Sequence, residues 1–64
     1  MTIELTNGKK ITGNAITLNY ISMALAEAAE NLRRKGLPYI ASACEHNSDI
    51  IYRVLKEKGV YDTK

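Results

Sequence analysis

A helix ending written twice constrains this chain more than any other feature. Leu32-Arg33-Arg34-Lys35-Gly36-Leu37 is echoed by Leu55-Lys56-Glu57-Lys58-Gly59-Val60. Each segment reads as a last, basic helical turn, a glycine stop and an apolar residue folding back. Cations are favoured where the helix dipole ends, and glycine takes the left-handed cap conformation without a Cβ penalty. Leu32 with Leu37, and Leu55 with Val60, stand where an apolar contact completes a Schellman ending. Pro38 cannot continue the first helix but suits the first turn of the next. Two helices must therefore fit into 64 residues. The segments leading into the two endings differ, which points to convergent capping rather than internal duplication.

The residues before the helices have a different period. Thr2-Ile3-Glu4-Leu5-Thr6 alternates polar and apolar, and Lys10-Ile11-Thr12 resumes the pattern after Asn7-Gly8. Asn-Gly adopts positive φ cheaply and favours a tight turn. A hairpin over about 2–12 follows, with Ile3, Leu5 and Ile11 on the covered face. A lone hairpin is marginal, so this one needs a helix against it.

Gly13-Asn14 interrupts the strand pattern. Ala15-Ile16-Thr17-Leu18 reads either as a third short strand or as a helix start, with Thr17 as cap and Ile16 stapled onto Ile21. The helix reading is favoured, giving a first helix over about 17–35. Leu18, Ile21, Leu25, Ala28 and Leu32 recur at three- and four-residue intervals and predict its buried stripe. Glu30 and Arg34 are spaced for an i,i+4 ion pair. The second helix is expected over about 38–58, with Ile40, Ala43, Cys44 and Asn47 leading along one stripe toward Ile51, Val54 and Lys58, and Ile50 and Leu55 broadening it. Glu45-His46-Asn47-Ser48-Asp49 is either the wet side of one helix or a break with a new cap at Asn47 or Ser48. One continuous helix is favoured, because Ile40, Cys44, Ile51 and Val54 stay in phase. A short connection makes the helices antiparallel neighbours. The expected fold is a single small α+β domain over residues 1–64: an N-terminal β-hairpin packed against two antiparallel helices, ββαα.

A chain this short buries about 60% of its unfolded surface, so its core is thin. Its only aromatic residues are four tyrosines, and the core must be mainly aliphatic. A formal net charge of +2 neither demands nor forbids a nucleic-acid partner. The one cysteine cannot form an internal disulfide or a cysteine-built zinc cluster. No apolar run approaches the roughly 20 residues that span a bilayer. A cytoplasmic protein with no membrane partner is expected.

Catalytic chemistry finds little to work with. Cys44 and His46, two apart on a helix, point about 200° apart and cannot form a nucleophile–base pair. Cys44 is expected to be a small core residue, and His46 to face solvent or to partner backbone groups of Asp49 or Ile50. Glu45 and Asp49 share a helical face but flank polar residues, with no apolar pocket to raise a pKa. Every glycine is explained by a turn or a cap, leaving no phosphate loop. A chain of this size also struggles to enclose a cleft of a few hundred cubic ångströms. No catalytic residue, metal site or cofactor is expected.

Recognition is the better supported class. Tyrosine gives a large contact area with a polar tip. Tyr20 and Met23 lie off the core stripe of the first helix and form a second apolar edge, and Tyr52 lies off the stripe of the second. These three residues are the expected protein-binding surface of a small adaptor or inhibitor-like module, self-associating or docked on a protein partner. The alternative is a small DNA- or RNA-binding regulator using Arg33, Arg34 and Lys35 with Arg53 and Lys56. Antiparallel helices would set those basic groups at opposite ends, and Glu45, Asp49 and Glu57 interrupt any positive stripe.

Overall fold

The structure, a computed structural model, describes residues 1–62. Strand β1 (Thr2–Glu4) pairs antiparallel with β2 (Lys10–Thr12), followed by α1 (Ala15–Arg34) and α2 (Pro38–Glu57). The helices pack against each other along their length, giving the expected ββαα arrangement. The molecule is elongated, 40 × 28 × 16 Å, because 20-residue helices set its long dimension.

The hairpin register pairs Thr2 with Thr12, Ile3 with Ile11 and Glu4 with Lys10. Each pair suits its place. The two threonine hydroxyls lie 2.9 Å apart, the isoleucines turn inward, and opposite charges face each other outside. Asn7 and Gly8 both have positive φ, at 65° and 72°, as their sequence suggests. They close a loop over which the Leu5 N–H donates to the Lys9 carbonyl at 2.6 Å. Asn47 of α2 clips this loop down. Its Oδ1 accepts from the Thr6 N–H at 3.1 Å and the Thr6 hydroxyl at 2.9 Å.

Residues 15–18 are helix, but Thr17 is not its cap. Asn14 occupies that position in extended backbone, and its Oδ1 accepts from the Thr17 N–H at 2.8 Å. Thr17 thus sits at the third helical position, and Ile16 faces solvent instead of forming a staple on Ile21. Asparagine caps as well as threonine or better, and capping at Asn14 adds a turn's worth of apolar surface to α1.

Both helix endings are Schellman motifs. Leu37 N–H donates to the Leu32 carbonyl at 2.9 Å and Gly36 N–H to that of Arg33 at 3.1 Å. Val60 and Gly59 repeat this on Leu55 and Lys56, both at 3.0 Å. Gly36 and Gly59 have φ of 80° and 78°, the geometry only glycine adopts freely.

The helix–helix seam differs from the hydrophobic stripes. Leu18, Ser22, Leu25, Ala29 and Leu32 are the buried or half-buried line of α1, spaced 4-3-4-3. On α2 the corresponding line is Ala41, Cys44, Ser48, Ile51 and Leu55. These are heptad spacings, the pattern of helices packed nearly parallel to one another's axes. Ile21 and Ala28 flank the seam, while Ile40 and Ala43, expected inside, are exposed. Small residues account for the difference: Ser22, Ala29, Ala41 and Ser48 give close approach without contributing a hydropathy signal. Ile3 of the hairpin joins Leu18, Ile51 and Leu55 in one core cluster, with Leu5, Ile11, Ile21 and Val54 around it.

Candidate functional site

The exposed apolar surface of α1 begins at its first turn. Between Ala15 and Ala26 the helix carries no carboxylate, lysine, arginine or histidine on any side. The outward residues of this stretch include Ile16, Tyr20 and Met23, at 71%, 66% and 58% exposure. Their 4-3 spacing aligns them on one face, turned away from Leu18 and Ser22. The cause is local: the core needs only the inner seam of α1, and nothing else in the described chain lies over the outer one.

This face borders a groove. The residues after Gly59 fold back toward the start of α1, and the Tyr61 hydroxyl donates to Asn19 Oδ1 at 2.5 Å. Val60 and Tyr61 form one wall, while Ala15, Ile16, Asn19, Tyr20 and Met23 form the other. The space is about 360 Å³. It reaches the size of a small-ligand site by lying open to solvent rather than by enclosure. Its lining has no carboxylate, imidazole, thiol or cation. Asn19 supplies the main polar edge and also donates to Met23 Sδ at 3.7 Å.

The three residues expected to bind protein come together unevenly. Tyr20 and Met23 line the groove. Tyr52, on α2 and partly exposed, stacks on Tyr61 with ring centroids 5.1 Å apart. It therefore backs the groove wall without lining the groove. Ile16, Val60 and Tyr61 also belong to this surface. Ile16 was hidden by its assignment to a staple, and Val60 by its role in the helix ending. A second exposed apolar group, Leu37, Tyr39 and Ile40, lies at the turn between the helices.

The basic residues do not converge. Arg33, Arg34 and Lys35 lie at the α1–α2 turn, whereas Arg53 and Lys56 lie toward the opposite end of the antiparallel pair. Arg33 forms an ion pair with Glu45 of α2, and Arg53 pairs with Asp49 at 2.9 Å. Each member of the Glu45/Asp49 pair thus has its own arginine. The Arg33 guanidinium hydrogen bond, helped by its charge and by His46, holds the Glu45 carboxyl below its usual range, and the same bond raises the Arg33 pKa. Glu30 and Arg34 do not form the expected pair. Arg34 instead donates to Asn31 Oδ1 at 2.5 Å.

Cys44 is half-buried at a seam position and His46 is exposed on the outside of α2. Among the described residues, no group of three or more His, Cys, Asp or Glu side chains stands together to hold a metal ion. No helix there is long and apolar enough to cross a membrane. Comparison with protein-family models, curated proteins and solved structures finds no match to this chain.

Proposed function

We propose that this chain is a small, non-enzymatic protein–protein interaction module, of adaptor or inhibitor type, that self-associates through the outer face of α1. One observation carries this reading: an exposed helix face more than three turns long has no ionisable side chain except Tyr20. Solvated helix faces are normally charged, and α1 itself returns to that pattern from Glu27 onward. Isolated exposed apolar residues need no explanation, but an aligned apolar patch beside a groove does. An uncharged patch also meets its own copy across a two-fold axis without like-charge repulsion. The lone unpaired Cys44 fits a reducing compartment, and the proposed location is the cytoplasm.

The test is light scattering coupled to size exclusion at low and high salt. A dimer held by apolar burial persists in high salt, because salt does not screen that burial. Tyr20→Glu and Met23→Glu should each give a folded monomer. If both variants associate like the parent, α1 is not the interface.

The nucleic-acid reading has narrower support. Arg34 and Lys35 are exposed and have no acidic partner among the described residues. They make a small cationic tip rather than a stripe.

A further inference from the structure

We infer that two copies dock antiparallel, α1 against α1, with Tyr20 of each copy against Met23 of the other. The inference rests on the self-associating reading and adds the direction and register of the contact. The product is a four-helix assembly with the two α1 helices inside and the hairpins outside.

Spacing supplies the register. Ile16, Tyr20, Met23 and Glu27 follow one another at intervals of four, three and four residues. That is a second heptad seam on α1, on the face opposite the one that packs on α2. Helix α1 therefore carries two seams, and the described chain fills only the inner one.

Charge supplies the direction. The neutral stretch ends at Ala26; Glu27, Glu30, Arg33 and Arg34 crowd the remaining part of the helix, and Lys35 caps it. In a parallel pair each charged residue of the outer seam meets itself, Glu27 against Glu27 first, and like charges face to face are unfavourable. An antiparallel pair centred between Tyr20 and Met23 sets neutral surface against neutral surface. It carries each charged half past the partner copy's helix start. There Glu27 approaches the other copy's first turn, the positive end of that helix dipole. The dipoles themselves also oppose. At the centre, tyrosine rings and methionine sulfurs meet in two equivalent contacts, a pairing these groups favour.

Cysteine cross-linking tests the arrangement. All variants carry Cys44→Ser, which removes the native thiol. Ile16→Cys and Glu27→Cys are made singly and together, and each is checked for dimerisation by light scattering before oxidation. In the antiparallel register, each position lies about 16 Å along the axis from its own counterpart, too far for a disulfide. Position 16 instead lies beside position 27 of the second copy. Within one chain the two positions are also about 16 Å apart, so they cannot bridge internally. The expected result is a covalent dimer from the double variant and none from either single variant. Cross-linking by the single variants would show a parallel pair and overturn the inference while leaving self-association intact. Dimers that cross-link in no variant would place the interface on another face. A parent chain that is monomeric at every concentration would overturn the self-associating reading, and the antiparallel pair with it.

Discussion

Ser22 and Ser48 bind each other reciprocally across the two helices. The Ser22 hydroxyl donates to the Ser48 carbonyl at 3.0 Å, the Ser48 hydroxyl donates to the Ser22 carbonyl at 2.8 Å, and the two hydroxyls are 3.2 Å apart. Side chain and backbone meet only where two helices come close, so this pair marks a tight point of the seam. Among the described residues Ser22 is the one buried polar residue, and its hydroxyl is partnered.

Enlarging this point should cost more than depolarising it. Ser22→Ala removes the hydroxyl without adding volume, and the backbone carbonyls keep their helical partners. Its expected cost is about 1 kcal/mol. Ser22→Leu must push the helices apart, with an expected cost of about 3 kcal/mol or more. Urea unfolding of both variants measures the difference. A Ser22→Leu protein as stable as Ser22→Ala would mean that the seam is loose.

The seam also shows where reading the sequence succeeds and fails. The hairpin turn at Asn7-Gly8 and the two Schellman endings were legible because they depend on local stereochemistry. The inner line of α1 was half legible: Leu18, Leu25 and Leu32 announce themselves, but Ser22 and Ala29 do not. A hydropathy pattern fills those places with Ile21 and Ala28. On α2, Asn47 falls on the expected inner line and turns to Thr6, but its neighbour Ser48, in the same polar run from Glu45 to Asp49, gives no inward signal and yet bonds Ser22. Small or polar residues used for close approach and cross-element bonding carry no hydrophobic signature. The candidate site was legible through Tyr20 and Met23, which fall off the core line. Its other wall, Val60 and Tyr61, depends on how the chain folds back after Gly59.

Gly36 isolates the cost of a backbone conformation. A Cβ built there meets nothing within 4 Å, so only the positive φ opposes a side chain. Gly36→Ala should cost about 1 kcal/mol, and Gly36→Asn less, because asparagine tolerates this region better. Thermal or urea unfolding gives both values. An alanine variant equal to the parent would mean that the ending rearranges.

Asn47 should control the hairpin more than the global fold. Asn47→Ala removes both acceptor contacts to Thr6, at an expected cost of about 1 kcal/mol. The loss should appear locally, as faster amide hydrogen exchange across the hairpin loop with helix protection largely kept. Uniform acceleration across both helices would instead make Asn47 part of the global cooperative unit.

The Arg33–Glu45 pair predicts a small pH-dependent term. Glu45 is held below its usual pKa by Arg33 in the folded chain. Such a depressed carboxyl stabilises the fold above its unfolded pKa, and the contribution disappears as pH falls through the folded value. The pair is solvent-exposed, where ion pairs contribute little. Glu45→Gln should therefore lower the melting temperature slightly at neutral pH, and its curve should meet the parent's in acid below the carboxylate range. A gap that persists or widens in acid would assign the effect to packing or helix propensity.

Salt dependence separates the two functional readings. A protein that neutralises Z phosphates loses affinity with a slope near −0.9Z on logarithmic axes. Arg33 and Arg53 already face Glu45 and Asp49, and Arg34 and Lys35 make one small tip. With roughly two phosphates engaged, raising salt from 50 to 200 mM should weaken binding only about tenfold, against the ~10³–10⁵ loss seen with six to ten contacts. Fluorescence anisotropy with labelled duplex DNA and single-stranded RNA measures the slope. The expected result is weak binding at low salt, with a shallow slope that falls further in Arg34→Ala and Lys35→Ala. A steep slope shared by Arg53→Ala and Lys56→Ala would show both ends of the helix pair engaging one nucleic acid. That outcome would replace the interaction module with a nucleic-acid-binding regulator, because an apolar α1 interface has no reason to depend on cations at both ends of the molecule.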